Sequence, residues 1–228
     1  MGSVERLKIA EFGPDDGSAS FNEEGLEFIR RVPGPIVLVC CTGSQAPSGI
    51  DTLLNTTNSC QGLKSNSLYI FSQPLSIMET GAVFLIHTPG FLSGSEHNPP
   101  NPPAAAAVAL VIASSILHFS GTNTDCAEFH KIEEIVPMIQ IQEGQEADWS
   151  AIASRLPPLL WAAPEQALAD GSKSGKKFME AAFAPQGGFE AAGAEADRLR
   201  AVAGAAFPRR DHALHPARGA QDEPGSAR

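Results

Sequence analysis

Pro35-Ile36-Val37-Leu38-Val39-Cys40-Cys41 runs into Thr42-Gly43-Ser44-Gln45-Ala46-Pro47-Ser48-Gly49-Ile50-Asp51 and then Thr52-Leu53-Leu54-Asn55. A continuous apolar run of this length bounded by turn residues predicts a strand buried on both faces. The Gly/Ser-rich turn and the helix start that follow give the layout of a phosphate-binding loop. In such a loop backbone amides cradle phosphates, a lysine reaches them, and a Ser or Thr holds magnesium. Gly49 stands where the last loop glycine belongs, but Ile50 replaces the lysine and Asp51 the hydroxyl. The grammar is present and the chemistry is missing.

Working outward, the chain alternates strand and helix signals. Arg6 to Ala10 alternates like a short strand. Ser20-Phe21-Asn22-Glu23 reads as a capping box opening a helix with Leu26, Phe28 and Ile29 on its apolar face, ending before Pro33. Strands are predicted at Ile36 to Cys41, Leu68 to Phe71, Val83 to Ile86, Ser115 to Phe119 and Leu159 to Ala162. Helices are predicted at about Gly49 to Thr57, at Ala104 to Ile112, over Thr124 to Ile141 and over the Ala-rich stretch Gly187 to Ala206. This alternation predicts an α/β fold, a three-layer P-loop-NTPase-like sandwich around a mostly parallel central sheet. Four of these strands, beginning at Ile36, Val83, Ser115 and Leu159, are expected side by side as parallel strands in one sheet. The loops Ser44 to Gly49 and Thr88 to Gly90 then meet at the sheet's C-terminal edge. Asn98 to Pro103, with four prolines, is expected as a loop, and residues 220–228 as a disordered tail.

Composition narrows the function classes. With 228 residues, 43% hydrophobic and 18% charged, the chain is long enough for one full core. A net charge of −10 with no cluster of Lys or Arg argues against nucleic acid as a partner. The four cysteines, Cys40, Cys41, Cys60 and Cys126, lack CxxC spacing and follow no secretory signal, so a reduced, cytoplasmic setting is expected. The longest apolar run, Ala104 to Phe119, contains Ser114 and Ser115 and is shorter than the roughly 20 residues of a membrane span. Cys126 with His130, and His212 with His215, form at most half a metal site each.

Six landmarks in order resemble the G domain of the guanylate-binding protein and atlastin family, large GTPases of the dynamin superfamily. They are the degraded loop after Gly34-Pro35-Ile36-Val37-Leu38-Val39; Leu53-Leu54-Asn55, similar to the family's LLN; and Val83-Phe84-Leu85-Ile86-His87-Thr88-Pro89-Gly90, similar to the strand ending in DTEG. Ala113 to Thr122 resembles the LSS strand, Trp161-Ala162-Ala163-Pro164-Glu165 the W-x-x-R-D segment, and Phe207-Pro208-Arg209-Arg210-Asp211 the late FPxR strand. The resemblance spans about residues 5 to 219. It implies GTP as the ligand and GTP hydrolysis as the family activity. It places the nucleotide contacts at Ser44, Pro47, Ser48, Gly49, Ile50, Asp51, Ser65, His87, Gly90 and Glu165.

Carried over in this way, the family's arginine becomes Pro47, its lysine Ile50, its serine Asp51 and its magnesium-supporting aspartate His87. Pro89 replaces the acidic residue before Gly90. An arginine acting in cis is worth about 10³- to 10⁵-fold in rate, and Pro47 offers no charge. Asp51 adds like-charge repulsion near a phosphate. Ser65, at the place of the switch threonine, keeps a hydroxyl, and Glu165 keeps a carboxylate for the base. No catalytic residue and no magnesium site are expected to survive. His87, at the end of an apolar strand, reads more simply as a satisfied core histidine.

The resemblance therefore implies a pseudo-GTPase with weak or no nucleotide binding. Its alternatives are an interaction module, self-associating or gripping a protein partner through the remnant nucleotide face, and a divergent fragment that lacks the family's helical C-terminal domain. The expected contact patch combines His97 to Pro103, Ser44 to Ser48 and the turn after Trp161, weakened by a charge at Ala46. Changing Ile50 to Lys and Asp51 to Ser is expected to improve nucleotide binding.

Overall fold

The computed structural model describes residues 4–13, 18–78, 81–91, 103–120, 153–164, 180, 183–184 and 191–215. In chain order its elements are β1 (Arg6–Phe12), β2 (Ala19–Phe21), α1 (Glu23–Arg31), β3 (Ile36–Thr42), α2 (Ala46–Leu54), β4 (Ser67–Phe71), β5 (Ser76–Met78), β6 (Gly81–His87), α3 (Pro103–Ile112), β7 (Ser115–Phe119), β8 (Leu159–Pro164), α4 (Ala191–Ala206) and β9 (Arg210–His215). The nine strands form one mixed sheet in the order β2-β1-β4-β6-β3-β7-β8-β9, with β5 also paired to β6. Five adjacent strands, β6, β3, β7, β8 and β9, run parallel, as expected for the four that sequence placed together. The rest of the sheet is antiparallel where β4 meets β6, β1 meets β4 and β2 meets β1.

Period-two alternation splits the core between the two faces of the sheet. Cys40, Phe84, Ile86, Ile116 and Trp161 share one cluster with residues of α1, α3 and α4. Cys41, Leu85, Leu117, Phe119 and Ala162 share the other with Ala46, Ile50 and Leu54 of α2. The parallel strands β3, β6, β7 and β8 are thus largely apolar on both sides, which is why they read as hydrophobic runs. Among the described residues, no helix is long and apolar enough to cross a membrane.

Three helix starts depart from expectation, each for a local reason. Ser20 lies in β2, and the cap of α1 is Asn22, whose side-chain oxygen accepts from the amides of Glu24 at 3.0 Å and Gly25 at 3.3 Å. Gly25 sits there because a Cβ would fall 2.2 Å from the Lys8 carbonyl oxygen of β1. Helix α2 begins at Ala46, three residues ahead of the expected start, with Pro47 in its first turn, where its missing amide costs nothing and its fixed φ suits the helix. It stops at Asn55, whose φ of 52° is left-handed. Pro103, expected in a loop, opens α3 for the same reason as Pro47. The rest of the Asn98 to Pro103 segment, the helix over Thr124 to Ile141, Cys126, His130, Glu165 and residues 220–228 lie outside the described residues.

Candidate functional site

The C-terminal ends of β3 and β6 and the approach to β4 gather most of the sequence-derived site at one edge of the sheet. Ser44 lies in the turn after β3; Pro47 to Asp51 lie on α2; His87 ends β6, Gly90 lies in the turn after it, and Ser65 precedes β4. The chain leaves β3 toward β4 and β6 on one side and leaves β7 toward β8 on the other, so the switch point of the topology falls between β3 and β7. Open α/β sheets bind their ligands in the crevice at such a point.

At this edge the described turn amides bond within the protein. The Gly43 amide donates to the Phe91 carbonyl at 3.1 Å, tying the turn after β3 to the turn after β6, and the Gln45 amide donates to the Phe119 carbonyl at 3.2 Å, tying it to β7. The Ala46 amide bonds Gly43 and the Gly49 amide bonds Gln45. Pro47 has no amide hydrogen. A phosphate cradle needs these donors turned outward; here they are spent on turn, strand and helix. Only Gly43, Ser44 and Gln45 separate the strand from the helix.

The two loop glycines are explained by close packing. Gly43 has a φ of +97°, and a Cβ there would lie 2.3 Å from the Phe119 carbonyl oxygen. A Cβ on Gly49 would lie 2.3 Å from the Phe119 ring, so this glycine lets α2 settle onto β7. Next to it, Ile50 is fully buried among Cys41, Leu54, Leu85 and Phe119. A lysine at this position would enter the apolar core.

Asp51 is turned away from the crevice. Its carboxylate, 5% exposed, accepts from the amides of Asn58 and Ser59, each at 2.8 Å, from the Ser59 hydroxyl, and from the Thr56 hydroxyl at 3.3 Å. The Arg6 guanidinium, reaching from β1, clasps the same loop through the carbonyls of Ser59 at 3.3 Å and Gln61 at 2.7 Å. Left-handed φ values at Asn55 and Asn58 let the chain fold around the carboxylate.

His87 is 3% exposed, and burial pushes its pKa down to about 4. The neutral ring donates Nδ1–H to the Cys41 carbonyl at 2.8 Å, stitching β6 to β3. Burial likewise pushes the Cys40 thiol up to about 12, raises Cys41 well above its ordinary value, and takes Cys60 to about 11.

Sequence reasoning missed a buried polar row at the same edge. Thr42 Oγ1 and His118 Nδ1 share a hydrogen bond of 3.1 Å. The His118 ring meets Trp161 edge-on at 4.7 Å between centroids, and Trp161 Nε1 donates to Ser120 Oγ at 2.9 Å. Thr42, His118 and Trp161 are register partners across β3, β7 and β8. The available signal was a polar residue at the same end of successive apolar strands.

Comparison with protein-family models and with curated proteins returns no match for this chain.

Proposed function

We propose that this chain is a degenerate G domain of the guanylate-binding-protein type, a P-loop-NTPase-like sandwich that acts in the cytoplasm as a pseudo-GTPase, with weak or no guanine-nucleotide binding and no GTP hydrolysis. The observation that carries the proposal is that the donors and side chains of the turn after β3 are used within the protein. The turn after β3 sits where a nucleotide-binding sheet would hold phosphates, yet the amides of Gly43, Gln45, Ala46 and Gly49, together with Ile50 and Asp51, are committed to the protein's own packing. The ordered landmarks and the five-strand parallel block support the ancestral frame. The residues from Pro35 to Asn55 include no Lys or Arg to neutralise a triphosphate.

The test is a titration with a fluorescent guanine nucleotide, with and without magnesium, beside a phosphate-release assay at saturating GTP. Hydrolysis equal to the no-protein control, and any binding weak and unchanged by magnesium, is the expected result. Turnover that scales with protein, saturates in GTP and recurs in independent preparations would refute the proposal.

A second reading, a protein-interaction module or homodimer using the same edge, is favoured by one observation. Gln45 and Pro47 are exposed on a turn pinned by hydrogen bonds on both sides, so docking there orders little that is not already ordered. Ala46 is fully buried, so the informative charge insertion is Pro47→Glu in place of a change at Ala46. Association that GTP leaves unchanged and Pro47→Glu weakens supports this reading. A monomer at high concentration, with partner capture unchanged by the substitution, removes it.

A further inference from the structure

A cavity of about 600 Å³ opens at the opposite edge of the sheet, where β3 and β6 begin. Its walls are Phe28 of α1, Val32 and Pro33 just past that helix, Pro74, Ile77 and Phe84. The rings of Phe28 and Phe84 meet edge to face, with centroids 5.4 Å apart. The volume falls within the range of small-molecule sites, and the lining has their character, mostly apolar with few polar groups. Ile77 at the rim is 78% exposed, an apolar side chain left in water beside an apolar hollow.

Among the described lining residues, Arg31 is the ionisable one. Its side chain is 80% exposed, and its guanidinium lies 3.6 Å from the Glu27 carboxylate. So open an ion pair is worth little, and the guanidinium can turn to a second anion at small cost. A cation at the mouth of an apolar hollow matches a ligand that is apolar along its body and anionic at one end.

We propose that this cavity binds a small amphiphile with a single carboxylate head, the head on Arg31 and an acyl chain laid against Phe28, Ile77 and Phe84. The site is independent of the nucleotide edge. The probe is decanoate below its micellar concentration, titrated calorimetrically into the full chain, with decanol as the uncharged counterpart.

Saturable one-site binding of decanoate, unaffected by GTP, is expected. Arg31→Gln should weaken decanoate about 5-fold while leaving decanol unchanged. Ile77→Glu, a change at an exposed position that leaves the core intact, should weaken decanoate about 10-fold or more through repulsion and lost apolar contact. Absence of saturable binding overturns the proposal. So does decanoate binding that neither substitution alters, or decanol binding as tightly as decanoate in a manner indifferent to Arg31.

Discussion

Replacing Asp51 with alanine separates the two roles this position can have. A carboxylate left over from a nucleotide site is dispensable to the fold, whereas the carboxylate described here holds the loop after α2. Asp51→Ala strands the buried amide and hydroxyl of Ser59 and the part-buried amide of Asn58. A hydrogen bond to a charged acceptor contributes about 1.5 to 3 kcal/mol, and losses within one cluster do not add. Because water can enter to the part-buried Asn58 amide, the expected total is about 3 to 4 kcal/mol, a large share of a domain's stability of roughly 5 to 15 kcal/mol. For a chain of this size that is a fall in Tm of about 6 to 15 °C. Asp51→Asn keeps the shape and one acceptor oxygen, and about 2 kcal/mol of loss is expected. Urea unfolding monitored by tryptophan fluorescence gives the totals, and amide exchange at Asn58 and Ser59 reports the loop directly. Asp51→Ala within about 0.5 kcal/mol of the parent, with exchange at these amides unchanged, would refute the reasoning.

Other outcomes follow from the same packing. Ile50→Lys with Asp51→Ser, the change expected from sequence to improve nucleotide binding, should instead lower stability by several kcal/mol, about 4 from burying the amine alone, and leave nucleotide titrations flat; saturable GTP binding by a folded double variant would overturn that. Gly49→Ala should cost about 1 to 3 kcal/mol because the Phe119 ring has to move, read by the urea midpoint. For His87 the folded pKa, about 4, lies below the unfolded value near 6.5, so the unfolded chain takes up the proton first. Its contribution is therefore intact above pH 6.5 and declines as the pH falls toward 4, by on the order of 3 kcal/mol, and His87→Gln should flatten the stability profile over that window. Thiol alkylation of the native chain, mapped by mass spectrometry, should mark Cys60 ahead of the fully buried Cys40 and Cys41; equal rates would show that the core opens.

What could be read from sequence, and what could not, divides along a physical line. The strands β3, β6, β7 and β8 were legible because burial on both faces writes an unbroken apolar run, and adjacency followed from the strand and helix alternation. The start of α2 was not, since Gly43 to Gly49 has loop composition. Only the φ of +97° at Gly43 and the Phe119 ring against Gly49 show that the two glycines serve different needs, one a tight turn and the other a helix pressed onto a strand. Asp51 is the sharper case. A motif assigns a residue by its place in the chain, but a carboxylate goes where donors are. The donors here, Thr56, Asn58 and Ser59, stand five to eight positions further on, at and just past the end of the helix expected from sequence. The same holds for Thr42, His118 and Trp161, which are far apart in the chain and meet through strand register. The residues that the motif reading singled out thus have structural roles of their own. Asp51 is a scaffold for the next loop, Ile50 a piece of core, and His87 a stitch between neighbouring strands. Opening this edge to a phosphate would break those contacts, so the stability they supply stands against anion binding there.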